Sequence, residues 1–284
     1  MSEFFSVYDY LFAAILIHAI IAYSQYVVFR AGVFSIASAG FVSLGAYAAG
    51  LAVISLGLGT ILALMIAALV GLVAGLLIAL PLSRVRGIFQ AVATLAFVQI
   101  VISVFLYSER ITGGAFGLNN IPATVKPVHL IFITAVLLYL MWAMNRYSVG
   151  RAFDAVRQDE TAAVALGVSV YRYHALAFAL SGCLGGFAGG LYALHSYSIV
   201  PGQFGFEMVV AALTAVVLGG RSSVAGPLVG TIALMALPEL VRGLDELRYL
   251  VHGTILVAVM IFMPLGVVDT LKQLALRYWR RIVP

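Results

Sequence analysis

The most concentrated ionisable chemistry in this sequence lies in one short polar stretch, GRAFDAVRQDETAAVALGV, at residues 150–168. Five charged side chains fall there within ten positions: Arg151, Asp154, Arg157, Asp159 and Glu160. The first three are spaced three residues apart, which puts them on neighbouring positions of one helical face. Gly150 is expected to break the preceding helix and Gly167 to end the stretch, which predicts two short helices. Two interpretations stay open from spacing alone: a helical element that docks into a groove of another protein, or a surface loop joined by weak ion pairs.

Outside this stretch the chemistry-bearing residues are too scattered to form a catalytic or metal site. The phosphate-binding loop of nucleotide hydrolases ends in Lys followed by Ser or Thr, and neither Lys126 nor Lys272 stands in such a setting. The histidines are isolated, and there is no nucleophile elbow, dinucleotide fingerprint or pair of catalytic carboxylates. We therefore expect a chain that is not an enzyme and binds no cofactor or metal. Its basic residues flank apolar runs rather than forming a patch, which argues against nucleic-acid binding.

The composition determines what surrounds these residues. Of the 284 residues, 63% are hydrophobic and 10% are charged, whereas soluble domains carry about 25% charged residues. So much apolar surface cannot be hidden from water, so most of the chain must lie in lipid. With about 20 residues per spanning helix, we predict an all-α polytopic membrane protein with eight to ten transmembrane helices in a single domain, residues 1–284. The predicted spans are 7–29, 33–56, 60–82, 87–107, 128–144, 170–197, 206–220, 224–241 and 249–269.

Small residues predict two further features of this bundle. The second span is rich in Gly, Ala and Ser over residues 31–50, so a broken helix is an alternative to a simple span there. Unwound backbone at membrane depth requires surrounding protein or a water-filled cavity. Glycines four residues apart, at Gly71 and Gly75 and again at Gly182 and Gly186, predict helices whose backbones approach closely.

The placement of the basic residues predicts the orientation of the chain. If residues 150–168 face the cytoplasm, twelve of the 16 basic residues fall on that side and four on the other. The twelve are Arg30, Arg84, Arg86, Arg146, Arg151, Arg157, Arg172, Arg221, Lys272, Arg277, Arg280 and Arg281. An excess of Lys and Arg marks the cytoplasmic side of a membrane protein, and the C-terminus then lies inside.

A transporter also needs a source of energy. Ion-driven carriers often keep carboxylates inside the membrane. Here the only carboxylates close to span interiors are Glu207 and Glu239, and both lie near predicted span ends. An ion-coupled carrier that acts alone is therefore the weaker alternative.

The polar stretch and the helix after it, SVGRAFDAVRQDETAAVALGVSVYRYHALAFALSGCLGGFAGGLYA, resemble the cytoplasmic loop and following helix of the permease subunits of branched-chain amino acid ABC importers. The closer resemblance is to the second, M-type permease of that pair. Four more blocks resemble the family in the same order: RVRGIFQAVATLAF, TGGAFGL, PGQFGFEMVVAALTAVVLGGRSSVAGPLVG and FMPLGVV. The resemblance covers residues 30–268, nearly the whole chain.

This resemblance implies a function and a set of partners. Residues 148–168, named here the coupling segment, are expected to form cytoplasmic coupling helices in a cleft of an ATPase subunit. The docking residues are then Arg151, Asp154, Arg157, Asp159, Glu160 and Gly167. The implied assembly is an importer of the bacterial inner membrane, with a second related permease, two cytosolic ATPase subunits that hydrolyse the ATP, and a periplasmic solute-binding protein.

The sequence departs from the family where the solute path is expected. Family members commonly carry Gly and His at the positions of Ala37 and Ser38. Amino acids, urea or short amides, and aromatic or other carboxylates therefore all stay open as solutes. Candidate path residues are Ser35, Ser38, Ser43, Gln90, Thr94 and Phe97. For each of them, interhelical packing is an equal alternative.

Charged residues on the predicted outer side are candidates for contact with the solute-binding protein. They are Arg110, Lys126, Arg242 and Arg248. Ion pairs at the membrane interface are the alternative for this group.

Overall fold

The computed structural model describes residues 2–240, 257, 261, 263 and 266–273. These residues are mostly helical and contain no β-strand, only a lone antiparallel bridge between Leu118 and Ile199. The helices are α1 Ser2–Arg30, α2 Ser38–Ile54, α3 Thr60–Leu82, α4 Ile88–Tyr107, α5 Glu109–Thr112, α6 Pro127–Arg146, α7 Ser148–Gln158, α8 Glu160–Ala165, α9 Val170–His195, α10 Phe206–Gly219 and α11 Gly226–Leu240.

Helical segments of membrane-crossing length dominate the fold. Six of them are long and apolar enough to cross a bilayer: Asp9–Arg30, Thr60–Leu82, Ile88–Tyr107, Pro127–Arg146, Val170–His195 and Pro201–Gly219. Two shorter apolar helices, α2 and the 226–236 part of α11, join them. The predicted all-α polytopic membrane fold is therefore confirmed. The last predicted span, 249–269, lies largely outside the described residues.

The bundle is organised around α9, which packs against α1, α2 and α3. Where α3 crosses α9, Gly71 lies directly against Gly182 and Gly186, so the two backbones touch. A β-carbon on Gly186 would meet the Ala67 carbonyl group and lie 2.9 Å from the Gly71 Cα atom. In lipid, such close approach supplies the packing attraction that the hydrophobic effect cannot supply. The predicted packing role of these glycines is confirmed.

The connection between α1 and α2 is not helical. Residues 31–37 are named here the broken segment, and its second residue, Gly32, lies in the left-handed region at φ 78°, a conformation that favours glycine. Gln25 donates its side-chain amide to the Ser35 carbonyl at 2.5 Å, and Thr94 Oγ1 accepts from the next backbone N–H at 2.9 Å. Such partners are what irregular backbone inside a membrane bundle requires. The predicted second span is therefore an unwound stretch over residues 31–37 followed by one unbroken helix, α2.

Candidate functional site

The coupling segment starts as an amphipathic helix laid against the end of the bundle. Ala152, Phe153 and Val156 form its buried face, and the Phe153 ring meets the edge of Tyr173 in α9 at a centroid distance of 6.1 Å. The prediction that Gly150 breaks the preceding helix is wrong. The break comes at extended Tyr147, and Gly150 lies inside α7, buried against the backbone of α6, where a side chain would clash.

Asp159 separates the two short helices and caps the second one. Its Oδ1 accepts hydrogen bonds from the backbone N–H groups of Thr161 at 2.8 Å and Ala162 at 3.1 Å. These bonds, with the Ala162 amide contributing most, hold the pKa of the Asp159 carboxyl below its usual value. Side-chain capping satisfies amide groups that have no partner within the helix. Gly167, at φ 80°, reverses the chain after α8, as predicted for the end of this stretch.

The first anchor of the coupling segment is an ion pair with the end of α1. Arg30 Nη2 lies 2.8 Å from Asp154 Oδ2, and the Arg30 side chain is only 6% exposed. Arg157 Nη2 lies 3.3 Å from the other oxygen of Asp154, so one carboxylate serves two guanidinium groups. Arg30 also donates to the Ser222 carbonyl in the α10–α11 loop at 3.5 Å. Asp154 thus ties α7 to the residue immediately before the broken segment.

The second anchor joins the start of α8 to the α3–α4 loop and α9. Glu160 Oε2 accepts from Arg86 Nε at 2.9 Å, and its other oxygen lies 4.0 Å from His174 Nε2. Arg86 also donates to the Ser83 carbonyl at 2.8 Å and lies 3.2 Å from His174 Nδ1. Because Arg86 and Glu160 are about half exposed, this pair contributes less stability than a buried one.

The outward surface of the coupling segment is different from the charged face predicted from spacing. Asp154, Arg157 and Glu160 are partly covered and paired within the chain, whereas Arg151 and Asp159 are exposed. Two large apolar side chains are exposed beside them: Val164 is 60% exposed and Leu166 is 79% exposed. We name the surface of Val164 and Leu166 the apolar tip. No pattern in the sequence distinguishes these two residues from the many other apolar residues of the chain.

Three of the six predicted path residues, Ser35, Gln90 and Thr94, form side-chain hydrogen bonds within the protein. Gln90 donates to the Leu82 carbonyl at 3.1 Å, and Thr94 Oγ1 donates back to its own helix. The Ser35 hydroxyl accepts from the Ala37 N–H at 3.2 Å. Ser35 and Thr94 therefore hold the broken segment in place, whereas Gln90 ties α4 to the end of α3.

Two predicted path residues differ from that pattern. Ser38 and Ser43 are buried, yet their hydroxyl oxygens have no hydrogen-bond partner within the described residues. Phe97, at 5.6 Å from the ring of Phe41, packs over Gly40 and leaves no room there for a side chain. Ser38 and Ser43 are therefore the members of the predicted set whose polar groups stay available for a solute or water.

The sequence places this chain among known transport proteins. It matches the family described as branched-chain amino acid transport system / permease component over residues 7–260. It is 32% identical over 289 residues to the high-affinity branched-chain amino acid transport system permease protein LivM of Escherichia coli (strain K12), covering 88% of this chain and 67% of that protein. The chain belongs to this permease family.

More distant relatives of the permease carry other descriptions. A probable branched-chain amino acid transport permease protein LivM of Methanocaldococcus jannaschii is 24% identical over 200 residues, covering 66% of this chain and 57% of that protein. The autoinducer 2 import system permease protein LsrC of Klebsiella pneumoniae is 40% identical over 94 residues, covering 33% and 27% of the two chains. No solved structure matches the permease.

The far end of the permease carries two of the four residues predicted to face a solute-binding protein. Arg110 in α5 and Lys126 before α6 are both exposed there, next to a loop pinned to the end of α9 by the Thr124 N–H, which donates to the Leu194 carbonyl at 3.1 Å. Arg242 and Arg248 lie outside the described residues. Glu207, one of the two carboxylates that a carrier would need, is exposed at the first turn of α10.

Proposed function

We propose that this permease is the membrane subunit of an ATP-driven importer for branched-chain amino acids or related small polar and carboxylate solutes. The observation that carries the proposal is the coupling segment, a pair of short helices tied to the bundle by ion pairs and presenting an uncovered apolar tip. A rigid element of this kind suits the groove of a partner protein. Membership of the permease family supports the solute class.

The two anchors connect the coupling segment to the bundle, so that movement of the segment is passed to the transmembrane helices. A partner that moves the apolar tip moves α7, and α7 holds Arg30 through Asp154. Arg30 is the last residue of α1 and directly precedes the broken segment. Breaking this pair would leave a buried guanidinium without its counter-charge, which is costly. The chain around residues 31–37 therefore follows the coupling segment, and a motor on one side biases the conformation of the path.

The partners follow from the same proposal. Two cytosolic ATPase subunits hold the coupling segments of this chain and of a second related permease, and a periplasmic binding protein delivers the solute at the opposite end. We place the protein in the bacterial inner membrane with its C-terminus in the cytoplasm. The excess of basic residues on the side of residues 148–168 supports this orientation.

ATP-dependent uptake by the assembled complex tests the proposal. Leu166→Asp puts a charge on the apolar tip without disturbing the core, because the side chain is 79% exposed. We expect L-leucine uptake into proteoliposomes to fall by roughly tenfold or more, with loss of ATPase subunits on purification. Phe116→Asp, at an 85% exposed site at the opposite end, is the matched control and should retain the ATPase.

Two results would count against the proposal. One is undiminished uptake and full ATPase retention in Leu166→Asp. The other is solute transport by the purified permease alone under a proton or sodium gradient, which would favour the ion-coupled carrier.

A further inference from the structure

A cavity of about 490 Å³ opens beside the first anchor, at the coupling-segment end of the bundle. Its walls come from the end of α1, the broken segment, α7 and α10. Phe34, Leu213 and Val217 give it an apolar side, and Arg157 and Arg221 give it a cationic side. The volume lies within the range of roughly 300–1,000 Å³ that small-molecule sites occupy. The combination suits a small molecule with one apolar end and one anionic end.

The charged side chains around the cavity carry one more positive charge than negative charge, so one bound anion would balance them. Asp154 is shared between Arg30 and Arg157. Asp269 is occupied by the α10–α11 loop, where it accepts from the Ser222 N–H at 3.0 Å and from the Ser223 hydroxyl. Within the described part of the chain, three guanidinium groups, counting Arg221, therefore face two carboxylates. One positive charge stays unbalanced.

One donor in the cavity wall is also without a partner. Arg157 uses Nη2 for Asp154, but its buried Nε has no hydrogen-bond partner within the described residues. A buried donor without a partner is costly, and a guanidinium is well suited to carboxylate oxygens. A ligand carboxylate in the cavity would lie beside the Arg157 and Arg221 guanidinium groups and balance the charge that Arg221 adds.

We propose that the cavity binds a small amphipathic carboxylate, of the class of an aliphatic amino acid, on the inner side of the membrane. The carboxylate contacts Arg157 and Arg221, and the aliphatic part lies on Phe34, Leu213 and Val217. The inference rests on the proposed function, because it makes the cavity the last site that the transported solute occupies before it leaves the permease. Since Arg157 belongs to α7, a bound solute touches the coupling segment, and solute accumulated inside restrains further import.

Binding of L-leucine and 4-methylpentanoate to the full chain in phosphatidylcholine nanodiscs tests this inference by calorimetry. We expect both to bind, and leucinol, which lacks the carboxylate, to bind roughly tenfold more weakly or worse. Arg221→Gln, at an exposed site that does not threaten folding, is expected to weaken leucine binding by a similar factor. Arg84→Gln, an exposed arginine in the α3–α4 loop outside the cavity, is the matched control and should bind as the unmodified chain does.

Several outcomes would overturn the inference. These are no binding of either carboxylate, equal binding by leucinol, or unchanged binding in Arg221→Gln. Loss of leucine binding when phosphatidylglycerol replaces phosphatidylcholine would assign the cavity to an anionic lipid headgroup instead. If the chain does not bind leucine but the assembled complex still imports it with ATP, only this inference is contradicted. If the chain binds leucine but the complex shows no ATP-dependent uptake, only the proposed function is contradicted.

Discussion

At the residue scale, Asp154 is the side chain that connects the coupling segment to the bundle. Its two oxygens hold Arg30 and Arg157, so this carboxylate joins the coupling segment to the end of α1. Local spacing is compatible with the pair to Arg157, three residues away, and local ion pairs were one of the two alternatives for this stretch. It could not predict the pair with Arg30, which is 124 positions away in the sequence. Long-range partners depend on how the helices pack, which local spacing does not reveal. Spacing therefore suggested that the Asp154 carboxylate faces outward, whereas in the structure it is partly covered and paired with Arg30.

Replacing Asp154 by Asn keeps the size of the side chain and removes its charge. We expect the folded chain to lose about 1–3 kcal/mol, because Arg30 is left buried without a counter-charge. Thermal unfolding of the purified chain measures the loss. Arg151→Gln, at an exposed position of the same helix, should cost less than about 0.5 kcal/mol. Equal stability of the Asp154 variant and the unmodified chain would mean that this pair does not hold α7.

Because Asp159 caps α8, we expect the stability of α8 alone to depend on the protonation of this carboxyl. Its pKa is lowered in the folded chain by the Ala162 and Thr161 amides, so its capping contribution is complete above the unfolded value of about 3.9 and is lost as pH falls through the lower folded value. Hydrogen exchange of residues 160–165, corrected for intrinsic rates, should show constant protection at neutral pH. Asp159→Ala should lower that protection at every pH, while Asp159→Asn, which still caps, keeps most of it. Full protection in the Ala variant would show that the cap is dispensable.

At the element scale, the periodic and compositional signals in the sequence were strong enough to predict most of the helices. The predicted spans 60–82 and 87–107 coincide almost residue for residue with α3 and α4, because lipid-facing helices are apolar throughout and end at Gly and charged residues. The broken segment was predicted only as an alternative. Its exact bounds depend on Gln25 and Thr94, whose side chains satisfy its backbone from other helices.

The crossing of α3 and α9 gives a prediction at this scale. Gly186→Val should lower the stability of the purified chain by roughly 2 kcal/mol or more, because the added side chain meets the backbone of Ala67 and Gly71. Gly59→Ala is the matched control, since a β-carbon there has nothing within 4 Å. Thermal unfolding compares the two. A Gly186 variant as stable as the Gly59 variant would contradict the close backbone contact that the structure shows.

At the scale of the whole molecule, the helices serve to hold two regions at the same end of the bundle. In the proposed function the coupling segment receives force from an ATPase subunit, and the broken segment lies beside the predicted solute path. The apolar tip was missed from the sequence because an exposed Val or Leu in an apolar chain gives no signal until the surrounding surface is known. The family resemblance supplied the docking role, and the structure adds which side chains face outward to carry it.

Cross-linking from the apolar tip shows whether the coupling segment contacts a cytosolic ATPase subunit. In a Cys183→Ser background, Leu166→Cys places the only thiol of the chain on the coupling segment. We expect a short thiol cross-linker to join this residue to an ATPase subunit in the assembled complex, with a yield that changes between the ATP-bound and nucleotide-free states. This expectation would be contradicted if Leu166→Cys reacted with a membrane-impermeant maleimide from outside intact cells, or if no cross-link to an ATPase formed in either state.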